Sequence, residues 1–180
     1  MNRAEFEHVI RAAAAVVDDD IVVIGSQAIH AEVASPPDAL VISREVDLYP
    51  RTRPERAAEI DGALGDGSQF DRTFGYYAHA VGPETPAAPA GWESRLVRVE
   101  IPARGRQTAV VAWCMSVHDL VLAKLAAGRP HDIDFVLEAI RAGLVDREQL
   151  ALGLALMPER HRARTADQLN GVLARVDRLA

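Results

Sequence analysis

The apolar run IVVI at residues 21–24 is the feature that most constrains the fold of this chain. It lies between an acidic run at 18–20 and the pair Gly25-Ser26. A short continuous apolar run with such flanks is typical of a strand that is covered on both faces. The sequence therefore predicts a β-sheet whose first strand is buried from both sides.

Helical patterns lie on either side of this strand. Apolar residues recur at three- and four-residue spacing over 6–17, and Asn2 and Glu5 are placed as a capping pair, which predicts a first helix. After Gly25-Ser26 we expect a short helix, which the following proline pair ends because proline lacks the amide hydrogen and fixes φ. Another helix is predicted over 53–65.

Four further strands are expected, followed only by helices. Alternation of apolar and polar residues predicts a second strand over 41–49. The other strands are predicted over 76–81, 95–101 and 108–114, the last two joined by a glycine-containing turn at 102–107. Ser116 is placed to cap the first helix of the C-terminal part. Helices are predicted there over 117–128, 132–143, 147–156 and 159–179.

This order of elements predicts an α/β (α+β) fold, in which helices flank a mixed β-sheet core and a helical portion follows at the C-terminus. A length of 180 residues fits one domain with a sizeable core. We expect residues 1–115 to form the α/β core and residues 116–180 to pack on it, so that the whole is a single compact unit.

Composition narrows the class of protein. The net charge of −6 disfavours broad binding to nucleic acid, because such binding depends on neutralising phosphates. Arginine-rich segments at 51–56 and 159–164 leave local basic patches open. No stretch approaches the roughly 18 apolar residues of a membrane span, and no signal peptide is evident. We therefore expect a cytoplasmic protein with no membrane partner and no stable DNA binding.

Two carboxylates stand one residue apart in the second predicted strand. The two-residue period of a strand places Ser43, Glu45 and Asp47 on one face. Neighbouring carboxylates repel unless solvent, a basic group or a divalent cation lies between them. Mg²⁺ prefers oxygen ligands and completes its shell with water and substrate phosphates. The pair therefore indicates a metal site for phosphate chemistry, and a solvated strand face is the alternative.

The pair Gly25-Ser26 supplies groups that suit the other half of such a site. Glycine lets the backbone approach a phosphate closely, and the Ser26 hydroxyl and nearby amides can donate to anionic oxygens. If the first two strands are neighbours, the phosphate-binding turn and the two acids face the same cleft. An ordinary serine-capped turn is the alternative.

The segments GSQAIHA and SREVDLYP together resemble the signature of the polymerase-β-type nucleotidyltransferase superfamily. In that superfamily a Gly-Ser turn after the first strand precedes an acid-x-acid pair on the next. The later segment DLVLAKLAAGRPHDIDFV is similar to the helical motif of the minimal bacterial branch, the AbiEii and MenT toxin-like nucleotidyltransferases. The resemblance covers about residues 21–140.

The resemblance implies a role for each matching position. Gly25, Ser26 and Ser43 match nucleotide-binding positions, and Glu45 with Asp47 matches the catalytic metal-binding acids, although Glu45 stands where aspartate is usual. Lys124 matches a phosphate-holding lysine. Four other positions are less specific. Arg129 contacts phosphate or faces solvent, and Glu100 is a third acid or the ion-pair partner of Arg98. Asp132 or Asp134 matches the downstream acid, and a cap for the helix after Pro130 is the alternative for Asp132.

The function implied by this resemblance is Mg²⁺-dependent (or Mn²⁺-dependent) transfer of an NMP from an NTP to an acceptor hydroxyl. The acceptor is a tRNA 3′ end or a protein hydroxyl, and the protein is a candidate toxin with an antitoxin partner. An alternative is a catalytically weakened nucleotidyltransferase-like module that acts through a protein partner. A purely structural α/β protein is a third hypothesis.

Overall fold

Five strands form one mixed sheet in the computed structural model, which describes residues 1–105 and 109–179. The strands are β1 (Ile21–Val23), β2 (Glu45–Pro50), β3 (Tyr77–Ala80), β4 (Val97–Ile101) and β5 (Val110–Cys114). Their order across the sheet is β3-β2-β1-β5-β4. β1 is central and all three of its residues are buried, as the apolar run at 21–24 predicts.

The register of the sheet brings the two predicted functional strands side by side. β1 runs antiparallel to β2, with Val23 opposite Leu48, and parallel to β5. β2 also pairs in parallel with β3, which places Tyr77 opposite Glu45 and His79 opposite Asp47. β4 pairs antiparallel with β5 at the far edge. β2 therefore has a neighbour on each side.

Seven α-helices surround the sheet and form the C-terminal portion of the described residues. They are α1 (Arg3–Val17), α2 (Ala57–Leu64), α3 (Gln69–Phe74), α4 (Val117–Ala127), α5 (Pro130–Arg141), α6 (Arg147–Ala155) and α7 (Glu159–Leu179). The capping box of Asn2 and Glu5 begins α1. At the start of α4, the side chain of Ser116 accepts a hydrogen bond from the backbone amide of Asp119. The predicted fold class, a mixed α/β fold with a helical C-terminal portion, is confirmed.

Several local predictions need correction. The strand predicted over 41–49 begins only at Glu45. The backbone carbonyl of Ser43 accepts a hydrogen bond from the side-chain amide of Gln27 at 3.1 Å, and Ser43 is not part of the sheet. The helix after Gly25 is a 3₁₀ helix, Ser26–Ala31, in which the amide of Ala28 donates to the Gly25 carbonyl at 2.9 Å. The short helix α3 was not predicted, and positions 106–108 of the predicted turn and last strand lie outside the described residues.

Helix α4 is the centre of the C-terminal portion. Its residues Leu120, Leu122 and Leu125 are fully buried, and the helix packs against α5, α6 and α7 as well as the 3₁₀ helix Ser26–Ala31. The buried apolar residues of sheet and helices form one cluster. The division of the chain after residue 115 stays a prediction. In the part of the chain that is described, none of the helices is both long and apolar enough to cross a membrane.

Candidate functional site

Gly25 and Asp47 meet where β1 ends beside β2. The amide of Ile24 donates to the backbone carbonyl of Asp47 at 3.1 Å, which holds the two segments together. A Cβ on Gly25 would lie 1.9 Å from Oδ2 of Asp47 and 2.9 Å from its Cβ. The φ of Gly25 is −92°, a value that other residues adopt readily. Glycine is therefore needed here for space, and not for backbone conformation.

The carboxylate of Asp47 has a basic partner on the neighbouring strand. Nδ1 of His79 lies 2.8 Å from Oδ1 of Asp47, because the parallel register of β2 and β3 places the two residues opposite each other. The side chain of His79 is 52% exposed and that of Asp47 29% exposed. This pair is therefore open to solvent and to a ligand.

Glu45, two residues earlier on the same strand, has a different partner. The hydroxyl of Tyr77 donates to Oε2 of Glu45 at 3.0 Å. Burial, and secondarily this hydrogen bond, raises the pKa of Tyr77 to about 12. The phenol therefore remains protonated near neutral pH and continues to donate to Glu45.

Lys124 and Asp132 form a second acid–base pair, which joins α4 to α5. Nζ of Lys124 lies 2.8 Å from Oδ1 of Asp132, and the two side chains are only 11% and 6% exposed. Nζ also lies 4.6 Å from the centre of the Phe135 ring, a cation–π distance. Oδ2 of Asp132 is buried and accepts no hydrogen bond from the described residues.

Two cavities lie next to each other at Gly25 and Ser26, since each of these consecutive residues lines one of them. The first has a volume of about 310 Å³, and its polar and glycine lining consists of Gly25, Asp47, His79, Thr85, Lys124, Arg129, Asp132 and His161. The second, of about 490 Å³, is lined by Ser26, Ser43, His131, Asp134 and Glu138 together with apolar residues. Lys124 lines the first cavity while its ammonium lies over Phe135, which lines the second.

The predicted site residues thus fall into three groups. Five of them line the first cavity: Gly25, Asp47, Lys124, Arg129 and Asp132. Three line the second cavity: Ser26, Ser43 and Asp134. Glu45 lines neither of these two cavities. Glu100 lies on the edge strand β4, exposed and ion-paired with Arg98.

Sequence analysis missed three side chains of this region, namely Tyr77, His79 and His161. The alternation in YYAHAV places Tyr77 and His79 on one face of a strand, and that was the available signal. It becomes useful only once β3 is known to pair with β2. His161 lines the first cavity from the start of α7, and we find no sequence signal that indicates this.

A metal ion in the first cavity would have only one or two protein ligands. In residues 1–105 and 109–179, no group of three or more His, Cys, Asp or Glu side chains is arranged to hold a metal ion. Asp47 and Glu45 remain the donors that fit Mg²⁺ best, since both are carboxylates and Mg²⁺ often takes only one or two from the protein. Oδ2 of Asp47 faces Gly25, which carries no side chain.

Comparison with known proteins gives one match. Residues 4–166 match the model of a protein family described as nucleotidyltransferases of unknown function (DUF6036). No curated protein and no solved structure matches the chain. The matched range contains the lining residues of both cavities, together with Glu45, Tyr77 and Glu100.

Proposed function

The chain belongs to a family of nucleotidyltransferases of unknown function, and from this we propose that it transfers the NMP of an NTP to an acceptor hydroxyl in a reaction that requires Mg²⁺ or Mn²⁺. One observation carries the proposal. Gly25 and Asp47 are in direct contact at the wall of a cavity that Lys124 also lines. A close backbone approach, a carboxylate and a buried ammonium suit a triphosphate with its cation.

The carboxylates have the first role. Asp47 and Glu45 would hold the metal ion through oxygen atoms, as the donor set favours. When bound, such an ion neutralises triphosphate charge and lowers the pKa of the attacking hydroxyl. The contact with His79 orients the carboxylate of Asp47, so that Oδ2 is directed towards Gly25.

The basic and hydroxyl groups have the second role. Lys124 places a positive charge in the first cavity, and its pairing with Asp132 fixes where that charge lies. Ser26 and the neighbouring backbone amides donate hydrogen bonds to phosphate oxygens. Arg129, which lines the first cavity, adds a positive charge. The acceptor oxygen forms a bond to the α-phosphorus, and the bond to the β-phosphate oxygen breaks. Pyrophosphate leaves with that bonding pair, and the acceptor proton passes to solvent.

The helical segment 119–136 leads to a finer assignment within the superfamily. Its lysine, basic residue and aspartates resemble the minimal bacterial branch of AbiEii and MenT toxin-like enzymes. On this basis the acceptor is a tRNA 3′ end or a protein hydroxyl, and the protein acts as the toxin of a toxin–antitoxin pair. Asp132 serves to position Lys124, and Asp134 lies in the neighbouring cavity.

Label transfer tests the proposed function directly. The protein is incubated with each α-³²P-labelled NTP, Mg²⁺ and total RNA, and both RNA and protein fractions are examined for label. We expect transfer by the wild type and a loss of about 100-fold or more in Asp47→Ala, by analogy with loss of a group that stabilises developing charge. Glu55→Ala removes an exposed carboxylate that lines neither of the two cavities and serves as the control. Transfer that survives Asp47→Ala at the wild-type rate would contradict the proposal.

A weakened binding module is the second candidate function. It is favoured by the hydrogen bond from Tyr77, which occupies Oε2 of Glu45, and by glutamate in place of the usual aspartate. Under this alternative, calorimetry with Mg²⁺ detects weak or absent NTP binding, and no label moves in any fraction. Tight NTP binding together with Asp47-dependent label transfer excludes it.

A further inference from the structure

We propose that the second cavity binds the nucleobase of the NTP and selects a base that carries an exocyclic amine over uracil. This inference rests on the proposed function, since it assumes that the triphosphate lies in the first cavity. It names the class of nucleotide that the same site accepts. Three features of the second cavity carry it: its position, its apolar walls and the carboxylates on one side.

The position of the cavity connects it to the phosphate-binding residues. Ser26 lines it, and the preceding residue, Gly25, lines the first cavity beside Asp47. Lys124 of the first cavity lies over the ring of Phe135, which lines the second. A nucleotide whose phosphates lie at Gly25 and Lys124 therefore has its base within reach of the second cavity.

The walls of the cavity suit a planar heterocycle. Leu40 and Phe135 are buried and form apolar lining, and Leu137 is partly buried beside them. Ile42 is 77% exposed despite its apolar side chain, and it also lines the cavity. A volume of about 490 Å³ lies within the range of small-molecule sites, which are typically apolar with a few polar groups. A base would cover the exposed side chain of Ile42.

The polar groups on one side of the cavity determine which base fits. His131, Asp134 and Glu138 lie three and four residues apart on α5 and all line the cavity. In the described part of the chain Asp134 is exposed and makes no ion pair, whereas Glu138 lies 3.8 Å from Arg141. Asp134 is thus the carboxylate that is most available to a ligand.

A carboxylate accepts hydrogen bonds and donates none when ionised. Adenine, cytosine and guanine each carry an exocyclic amine that can donate to it. Uracil carries no exocyclic amine, and its single ring N–H lies between two carbonyl oxygens, which a carboxylate repels. Asp134 therefore favours the three amine-bearing bases and disfavours uracil.

Binding measurements with four non-transferable nucleotides test this inference. The α,β-methylene analogues of ATP, CTP, GTP and UTP are titrated in the presence of Mg²⁺ into wild type, Asp134→Ala and Asp134→Asn, with Glu55→Ala as the control. For the wild type we expect the three amine-bearing analogues to bind about tenfold more tightly than the UTP analogue, as for a hydrogen bond to a charged group. In Asp134→Ala the difference falls to about threefold or less, because the amine-bearing analogues weaken while the UTP analogue does not.

The asparagine variant separates recognition from a general loss of charge. An amide can donate to a uracil carbonyl, so Asp134→Asn is expected to strengthen binding of the UTP analogue. Equal binding of all four analogues by the wild type, or an equal change in all four on Asp134→Ala, overturns the base assignment and leaves the proposed function intact. If none of the analogues binds and no label is transferred, the proposed function itself fails and the base assignment fails with it. Unchanged unfolding midpoints of both variants show that the fold is retained, as expected for an exposed residue.

Discussion

The two acid–base pairs of the first cavity have the same contact distance and very different surroundings. His79 and Asp47 lie 2.8 Å apart on two strands, and both side chains are open to solvent. Lys124 and Asp132 also lie 2.8 Å apart, on two helices, but both are almost fully buried. An exposed ion pair contributes little to stability, whereas removing one partner from a buried pair leaves an uncompensated charge. The contact distance alone therefore does not indicate what a pair does.

This difference suggests a division of roles within one cavity. The buried pair, Lys124–Asp132, joins α4 to α5 and fixes the position of the Lys124 ammonium. The open pair, His79–Asp47, leaves the carboxylate of Asp47 accessible to a ligand, with Oδ2 directed at Gly25. If this division is correct, substitutions at the buried pair act mainly on stability, and substitutions at the open pair act mainly on ligand binding.

Removal of Asp132 provides the largest expected difference. Asp132→Ala leaves the Lys124 ammonium buried without its partner, and we expect the free energy of unfolding to fall by about 3–5 kcal/mol. Asp47→Ala, the matched change in the open pair, is expected to cost less than about 1 kcal/mol. Urea titration followed by circular dichroism measures both. Similar losses in the two variants would break the comparison.

A double substitution serves as the control for this prediction. Replacing Lys124 and Asp132 together by Met and Leu removes both charges, and a buried ion pair can be replaced by apolar residues at little cost. We therefore expect the double variant to be more stable than Asp132→Ala. A double variant that is as unstable as the single one would show that packing, and not the unpaired charge, causes the loss.

Gly25→Ala tests how closely Asp47 packs against the segment that follows β1. The added methyl group would lie 1.9 Å from Oδ2 of Asp47 and must displace that side chain or the backbone. Overpacking of this kind costs about 1–3 kcal/mol. Gly62→Ala is the control, because nothing lies within 4 Å of its Cβ position in α2. That variant is expected to gain about 0.4–1 kcal/mol, since alanine favours the helix.

The Tyr77–Glu45 hydrogen bond lies between the two pairs in burial, and it has a pH dependence of its own. Tyr77→Phe is expected to lower the free energy of unfolding by about 1 kcal/mol at pH 7. Between the ordinary tyrosine pKa of 10 and the folded pKa of about 12, the unfolded chain loses the phenol proton and the folded chain keeps it. The unfolded chain then binds fewer protons, so the stability from Tyr77 falls as pH rises through this window. Denaturant titrations of both proteins at pH 7, 10 and 12 should show the difference between them shrinking.

Local patterns in the sequence were sufficient to predict most of the fold. The run at 21–24 predicts the central strand, and the caps at Asn2 and Ser116 predict where α1 and α4 begin, because these signals act within a few residues. The helix α3 has only six residues, too few for a periodic pattern to be recognised. The 3₁₀ form of Ser26–Ala31 likewise has no periodicity that separates it from an α-helix over so short a length.

The candidate site was predictable only where it depends on neighbouring segments. Gly25 and Asp47 meet because β1 and β2 pair, which is the condition on which the predicted shared cleft depended. The contact of Asp47 with His79 depends on parallel pairing of β2 with β3, and no local pattern encodes that register. Ser26, the first residue of the 3₁₀ helix, lines a different cavity from Gly25, whereas the sequence predicted one cleft for both residues.

Alkylation of Cys114 gives the most direct test of which of the two pairs supports the fold. Burial raises the pKa of this thiol to about 12, and the residue lies on β5 opposite Val23 of β1. The thiolate is the reactive form, so iodoacetamide at pH 8 should react only with molecules that have opened. Where opening and reclosing are faster than alkylation, the rate follows the open population, which rises about tenfold for each 1.4 kcal/mol of lost stability. We therefore expect Asp132→Ala to react about 100-fold to several thousand-fold faster than the wild type and Asp47→Ala less than about fivefold faster. A large acceleration in Asp47→Ala would mean that the His79–Asp47 pair holds β2 and β3 together, and that its role is structural after all.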